Sequence, residues 1–199
     1  DHEELEFADR TELSQIADEI EKVISRLADS FNVGNAIKNG VPVAIIGETN
    51  AGKSTLLNAL LNEEKAIVSD IHGTTRDVIE DTINLRGITF RFIDTAGIRQ
   101  TTDVVESIGI ERTFQKMNQA DIVLWMIDSD SEVDMEALKD EILPHCEDKN
   151  LIILFNKSDK VSTERCDTLR QAFAEVTAPK LFLSAKQRKG MDELESLLV

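Results

Sequence analysis

The stretch Gly47-Glu48-Thr49-Asn50-Ala51-Gly52-Lys53-Ser54 fits the phosphate-loop pattern G-x-x-x-x-G-K-[ST]. An apolar run, Val41 to Ile46, comes just before it, and a helical run, Thr55 to Leu61, comes just after. A strand, a glycine-bearing loop and a helix in that order fix the chemistry. Backbone N–H groups through Asn50, Ala51, Gly52, Lys53, Ser54 and Thr55 form a cradle for oxyanions at a helix N-terminus. Lys53 is expected to reach the outer phosphates, and the Ser54 hydroxyl to ligate Mg²⁺.

Outward from the loop, strand and helix alternate. Strand candidates are Val41–Ile46, Thr89–Ile93, Ile122–Ile127, Leu151–Phe155 and Lys180–Leu183. Helix candidates are Lys53–Leu61, Gly109–Asn118, Met135–Cys146, Thr163–Phe173 and Met191–Leu198. Short continuous apolar runs suit a parallel sheet covered on both faces. Val78–Leu85 and Ile88–Ile93 flank Arg86-Gly87, which reads as an antiparallel hairpin. The expected fold is therefore α/β, with a mostly parallel six-stranded sheet, one antiparallel edge strand, and helices on both faces. Trp125 is read as a core residue. The acidic stretch Asp128 to Asp148 is read as a solvated helix face with no function attached.

Before the loop, Leu13, Ile16, Ile20, Val23, Ile24, Leu27 and Phe31 recur at steps of three and four. They predict one amphipathic helix over Asp9 to Phe31, with Asp9 and Glu12 resembling a capping box. Its apolar stripe packs either on the chain's own domain or within a helical module mostly absent here. Asn32 to Gly40, with two glycines and three asparagines, punctuates the chain. The expected domains are a helical segment and linker, 1–40, and a nucleotide domain, 41–199.

Composition narrows the classes. The 199 residues are 41% apolar and 30% charged, as in ordinary globular chains. A net charge of -16, from 22 basic and 38 acidic residues, weighs against strong nucleic-acid binding by this chain alone or adhesion to an anionic membrane. No stretch reaches the length of a membrane span. Cys146 and Cys166 lack metal-ligand and CxxC spacing and fit a reducing, cytoplasmic setting. His2, His72 and His145 do not cluster, so zinc is not expected. The chain opens on Asp1 rather than Met, which suggests that it is cut from something longer or processed.

In open α/β sheets, ligands bind beyond the carboxyl ends of the strands, and three further motifs fall there. Asp94-Thr95-Ala96-Gly97 follows one strand: Asp94 is expected to hold the Mg²⁺ shell, usually through water, and Gly97 lets its backbone N–H approach a γ-phosphate. Asn156-Lys157-Ser158-Asp159 follows another. A carboxylate is acceptor-only, so Asp159 suits the two adjacent donors of guanine and repels the N1 acceptor of adenine. The Lys157 stem can cover the base face. Ser184-Ala185-Lys186 follows the last strand and adds a backbone donor to the guanine oxygen. In this order the motifs specify GTP over ATP.

Between the first helix and the hairpin lies Ile71-His72-Gly73-Thr74-Thr75-Arg76-Asp77. A threonine hydroxyl there, assigned to Thr75 rather than Thr74, completes the Mg²⁺ shell when the γ-phosphate is present. Arg76 is read as a surface ion-pair partner. Ile98 stands where Ras-type switches carry a water-orienting glutamine, and it has no hydrogen-bonding group. Glu106, further along, and a cation beside the phosphates are the candidate substitutes.

Together GETNAGKS, IHGTTRD, DTAGIR, VVESIGIER and NKSD resemble the G domain of the MnmE (TrmE) family of tRNA-modification GTPases, and DHEELEF with the long helix resembles that family's helical domain. The resemblance covers Val41 to Val199 and continues upstream, and it implies a Ras-like P-loop GTPase fold. It implies hydrolysis of GTP with K⁺ as well as Mg²⁺ at the site, activated when two G domains meet as a homodimer. It implies that Asn50 ligates K⁺, with backbone carbonyls near Ser69 to Ile71. It also implies that Glu106 is the water-orienting catalytic glutamate beside Lys53 and Gly97. Partners in a full-length protein would be MnmG and tRNA, for modification of the wobble uridine. Thr49 and His72 stand where the family commonly has proline. Lacking the folate-binding domain and the C-terminal cysteine motif, the chain alone is not expected to modify tRNA. The alternatives are a ribosome-assembly GTPase like Der or Era, and a GTP-dependent binding switch with negligible turnover.

Overall fold

A computed structural model of the protein describes residues 2–65, 81–99 and 109–199. Helix α1 spans His2–Asn39. Then come β1 (Val41–Gly47), α2 (Lys53–Lys65), β2 (Asp81–Leu85), β3 (Ile88–Phe92) and α3 (Thr95–Arg99). After them follow α4 (Gly109–Gln119), β4 (Ile122–Asp128), α5 (Met135–Ile142), β5 (Asn150–Asn156), α6 (Thr163–Ala172), β6 (Lys180–Phe182) and α7 (Met191–Leu198). Contacts divide the chain into two compact units, Asp1–Asn39 and Gly40–Val199.

The second unit is one six-stranded sheet in the order β2-β3-β1-β4-β5-β6. Every neighbouring pair is parallel except β2 with β3. The hairpin turn explains the exception. Arg86 and Gly87 both have positive φ, 51° and 87°, the requirement of a two-residue turn whose twist matches its strands. The expected strand from Val78 is described from Asp81 onward, and residues 78–80 lie outside the described residues.

Alternation along each buried strand feeds two cores. Val43, Ile45, Leu124, Met126, Ile152 and Leu154 meet α2 and α7 on one face. Ala44, Ile46, Val123, Trp125, Ile153 and Phe155 meet α4, α5 and α6 on the other. Burial of one such large apolar side chain contributes roughly 1.5–3 kcal/mol. Trp125 lies inside the second core, edge-on to Phe173 at 5.6 Å, as its place in an apolar run suggests. Helices on both faces leave the strand ends as the free rim, where the motifs sit.

Three expectations are corrected. Helix α1 starts at His2, so Asp9 lies inside it and does not cap it. The preceding Glu-Glu-Leu-Glu segment is itself a strong helix former. The helix also runs through the expected linker to Asn39. Gly34 alone does not break it, and it stops at Gly40, whose φ of +84° ends an α-helix naturally. Asp128 is the last residue of β4 rather than part of a solvated helix face. The Asp94-Thr95-Ala96-Gly97 segment enters the short helix α3. On α1, Leu13, Ile16, Ile20, Val23, Ile24, Leu27 and Phe31 are all exposed. No helix among the described residues is long and apolar enough to cross a membrane.

Candidate functional site

The phosphate loop is shaped by its glycines. Gly47 ends β1 with φ +144°, and a Cβ there would lie 2.2 Å from the Met126 carbonyl oxygen. Gly52 has φ +99°, and a Cβ there would lie 2.2 Å from Asn156 Nδ2. Asn50 also adopts a left-handed conformation, φ 68°, which asparagine tolerates better than most residues. The spacing of the motif is thus a packing requirement against β4 and β5.

Lys53, the first residue of α2, turns back over the loop. Its Nζ donates to the carbonyls of Gly47 and Glu48, 2.6 Å each. Burial, and then the nearby Lys116, lower its pKa to about 8, against an opposing pull from Glu48. A half-buried ammonium whose hydrogen-bond partners among the described residues are carbonyls is suited to receive an anion. Ser54 Oγ donates to the Ile98 carbonyl at 2.6 Å, which ties α2 to α3.

Asp94 sits just past β3 with φ 50°. Arg112 on α4 grips both its oxygens: Nε donates to Oδ2 at 2.9 Å and Nη2 to Oδ1 at 3.0 Å. Lys116, one turn on, places Nζ 3.3 Å from Oδ2. Desolvation pushes the Asp94 carboxyl upward, but the Arg112 hydrogen bond and the Lys116 charge outweigh it and hold the pKa below the usual carboxylate range. Ile98 is fully buried in the core, so the residue after Gly97 presents no polar group to the site.

The part of the rim formed by Asn156 to Asp159 and Ser184 to Lys186 is knitted together by Asn156, which is 3% exposed. Its Nδ2 donates to the Ala51 carbonyl at 2.7 Å, and its Oδ1 accepts from the Ala185 N–H at 3.0 Å. One amide thereby joins the phosphate loop, β5 and the loop after β6. Lys157 follows in a left-handed conformation, and its Nζ is 2.5 Å from Asp128 Oδ2. Asp159 is exposed and accepts from Gln187 Nε2 at 3.0 Å. A hydrogen bond from Ser184 is the main cause holding its carboxyl below the usual range. Ser184 and Ala185 are buried and Lys186 is exposed.

The structure therefore brings Asn50 to Thr55, Asp94 with Gly97, Asn156 to Asp159 and Ser184 to Lys186 to one rim. Ser69, Ile71, Thr75 and Glu106 lie outside the described residues, as do His72, Thr74 and Arg76. Sequence reasoning missed Arg112, Lys116, Asp128 and Gln187. Arg112 and Lys116 carried a signal: basic residues at i and i+4 share one helix face. Gln187 carried none.

No group of three or more His, Cys, Asp or Glu that could hold a metal occurs among the described residues. A hard cation such as Mg²⁺ takes one or two protein oxygens and completes its shell with phosphates and water. The oxygens of Ser54 and Asp94 are such donors, and Arg112 and Lys116 show that the Asp94 site accepts positive charge.

A family model described as 50S ribosome-binding GTPase matches residues 42–157, which include the phosphate loop, Asp94 and Asn156-Lys157. The chain is 70% identical to the tRNA modification GTPase MnmE of Phocaeicola vulgatus, over all of this chain and 40% of that protein. It is 64% identical to that of Bacteroides thetaiotaomicron, over 99% of this chain and 43% of that protein. The resemblance carried by the motifs is thus borne out, and the chain spans about two fifths of the length of these curated relatives. Among solved structures, translation elongation factor SelB from Methanococcus maripaludis superposes with a TM-score of 0.58 at 19% identity, over 79% of this chain and 33% of that one. The FeoB G-domain from Methanococcus jannaschii gives 0.52 at 23%, over 79% and 94%. These two likenesses bear out the expected fold.

Proposed function

The chain belongs to the 50S ribosome-binding GTPase family, and from that premise we propose that it is the GTP-hydrolysing part of an MnmE-type protein, working with Mg²⁺ and K⁺ and activated by pairing of two G domains. The observation that carries the reading is the Asn156 amide, which locks the phosphate loop and the guanine-reading loops into one frame. A ligand that carries both a phosphate tail and a purine would fill both ends of that frame at once.

Each residue then has a task. Lys53 exchanges its carbonyl partners for phosphate oxygens. The N–H groups from Asn50 to Thr55 line the same oxygens. Ser54, Asp94 and Thr75 hold Mg²⁺, which neutralises charge as it develops on the transferred phosphoryl group. Asn50, with carbonyls near Ser69 and Ile71, holds K⁺, whose charge beside the phosphates acts as an arginine finger would. Gly97 admits its N–H to the γ-phosphate, and Glu106 orients the attacking water. Asp159 reads guanine, Lys157 covers its face, and the backbone at Ser184 to Lys186 supports it. In the longer protein the cycle would drive modification of the tRNA wobble uridine with MnmG, in the cytoplasm, while this chain alone makes no strong nucleic-acid contact and engages no membrane.

Hydrolysis measured against protein concentration in K⁺ and in Na⁺ tests this reading. The rate per chain is expected to rise with concentration and with K⁺, Asn50→Ala removing the K⁺ gain and Glu106→Ala slowing turnover while GTP still binds. Equal rates in both salts would remove the potassium assignment. The buried, apolar Ile98 favours a second reading, a binding switch with negligible turnover. Single-turnover hydrolysis that stays negligible at every concentration would select it.

A further inference from the structure

The charged groups gathered on Asp94 are more than its assigned role requires. Its two oxygens are engaged by a forked guanidinium and an ammonium, both from α4. A bidentate pair of this kind is directional and charge-assisted, and the Asp94 side chain is only 22% exposed, so screening by water is partial. Lys116 is further desolvated, 14% exposed, and near enough to Lys53 to lower its pKa. A divalent cation and these two side chains therefore want the same oxygens and cannot share them fully.

We propose that Arg112 and Lys116 set the magnesium demand of the site by competing with the metal for the Asp94 carboxylate. They are positioning residues that act on the metal through Asp94. Their position at i and i+4 on α4 means that metal capture by Asp94 frees one face of that helix, so metal occupancy and the seating of α4 are coupled. The inference rests on the reading of Asp94 as a Mg²⁺ ligand.

The test uses the full chain and fluorescent GDP, with the Mg²⁺ concentration that half-slows GDP dissociation as the readout. Arg112→Gln is expected to lower that concentration about fivefold, within the range for a partly exposed ion pair. Arg112→Lys, which keeps the charge but loses the fork, falls between. Lys116→Gln shifts it the same way by about twofold, and serves if Arg112→Gln folds poorly. GDP affinity in EDTA is expected to stay within about twofold of the parent in both Gln variants. A magnesium demand that is unchanged or raised would overturn the proposal. So would weaker GDP binding in EDTA, because Arg112 would then be acting on the phosphates directly. Asp94→Asn separates the two claims: if it leaves the magnesium demand of the parent untouched, the ligand reading of Asp94 fails. If it raises the demand while Arg112→Gln does nothing, only the competition fails.

Discussion

The phosphate end and the base end of this rim are held together in opposite ways. At the base end the central group is buried and fully committed: Asn156 spends both ends of its amide on backbone partners of two other loops. At the phosphate end the central groups are only provisionally partnered. Lys53 rests on two carbonyls of its own loop, and Asp94 on two cations that, on the proposed reading, a metal replaces. Deleting a committed group leaves buried polar atoms orphaned, whereas deleting Lys53, held only by two carbonyls, is expected to cost ligand affinity more than stability. Frame and contact are therefore separable by mutation.

Asn156→Ala breaks the frame at both ends. It strands the Ala51 carbonyl and the Ala185 N–H, at roughly 1–3 kcal/mol each. A denaturant melt is expected to show the loss of stability, with GDP affinity falling more than about a hundredfold. Retention of normal stability would erase the contrast between the ends.

Asp159→Asn touches the same end without touching the frame, because Asp159 is exposed. Guanine affinity is expected to fall by about a hundredfold with little change in melting. Xanthine, which carries a carbonyl where guanine carries its amine, should be gained, and competition binding reads both. Lys53→Ala removes the charge-assisted phosphate contact, about tenfold to a hundredfold in GDP affinity by calorimetry. Stability should hold or rise, because a desolvated ammonium beside Lys116 is removed. A melt as damaging as that of Asn156→Ala would show Lys53 to be part of the frame.

The smallest expected effect is on pH. The Lys53 pKa is lowered to about 8 in the free chain, and bound phosphate favours its charged form and raises it. Below pH 8 the group is charged with or without ligand, and affinity is flat. Above pH 8 the free chain must take up a proton on binding, so affinity falls by up to about tenfold per pH unit until the bound pKa is passed. A profile flat to pH 9.5 would mean that Lys53 does not meet the phosphates.

The sheet was legible because its apolar runs are short, continuous and punctuated, and Arg86-Gly87 announced its one antiparallel pair. The loops were legible because their chemistry needs particular residues at particular spacings, such as glycine at 47 and 52, where any Cβ collides with the neighbouring strand. Partners set by three-dimensional approach were not. Nothing in the spacing of Asn156 ties it to Ala51, 105 residues away, or brings Arg112 to Asp94. The start of α1 was misread because a capping signature at Asp9 is indistinguishable, in sequence, from two acidic residues inside a longer helix.

Calorimetric titration of the purified chain with GDP and with ADP, in saturating magnesium, bears most directly on the claim of one frame gripping phosphate and guanine together. One GDP per chain, with ADP at least about a hundredfold weaker, is the outcome required. No uptake of GDP, or ADP bound equally well, would contradict it.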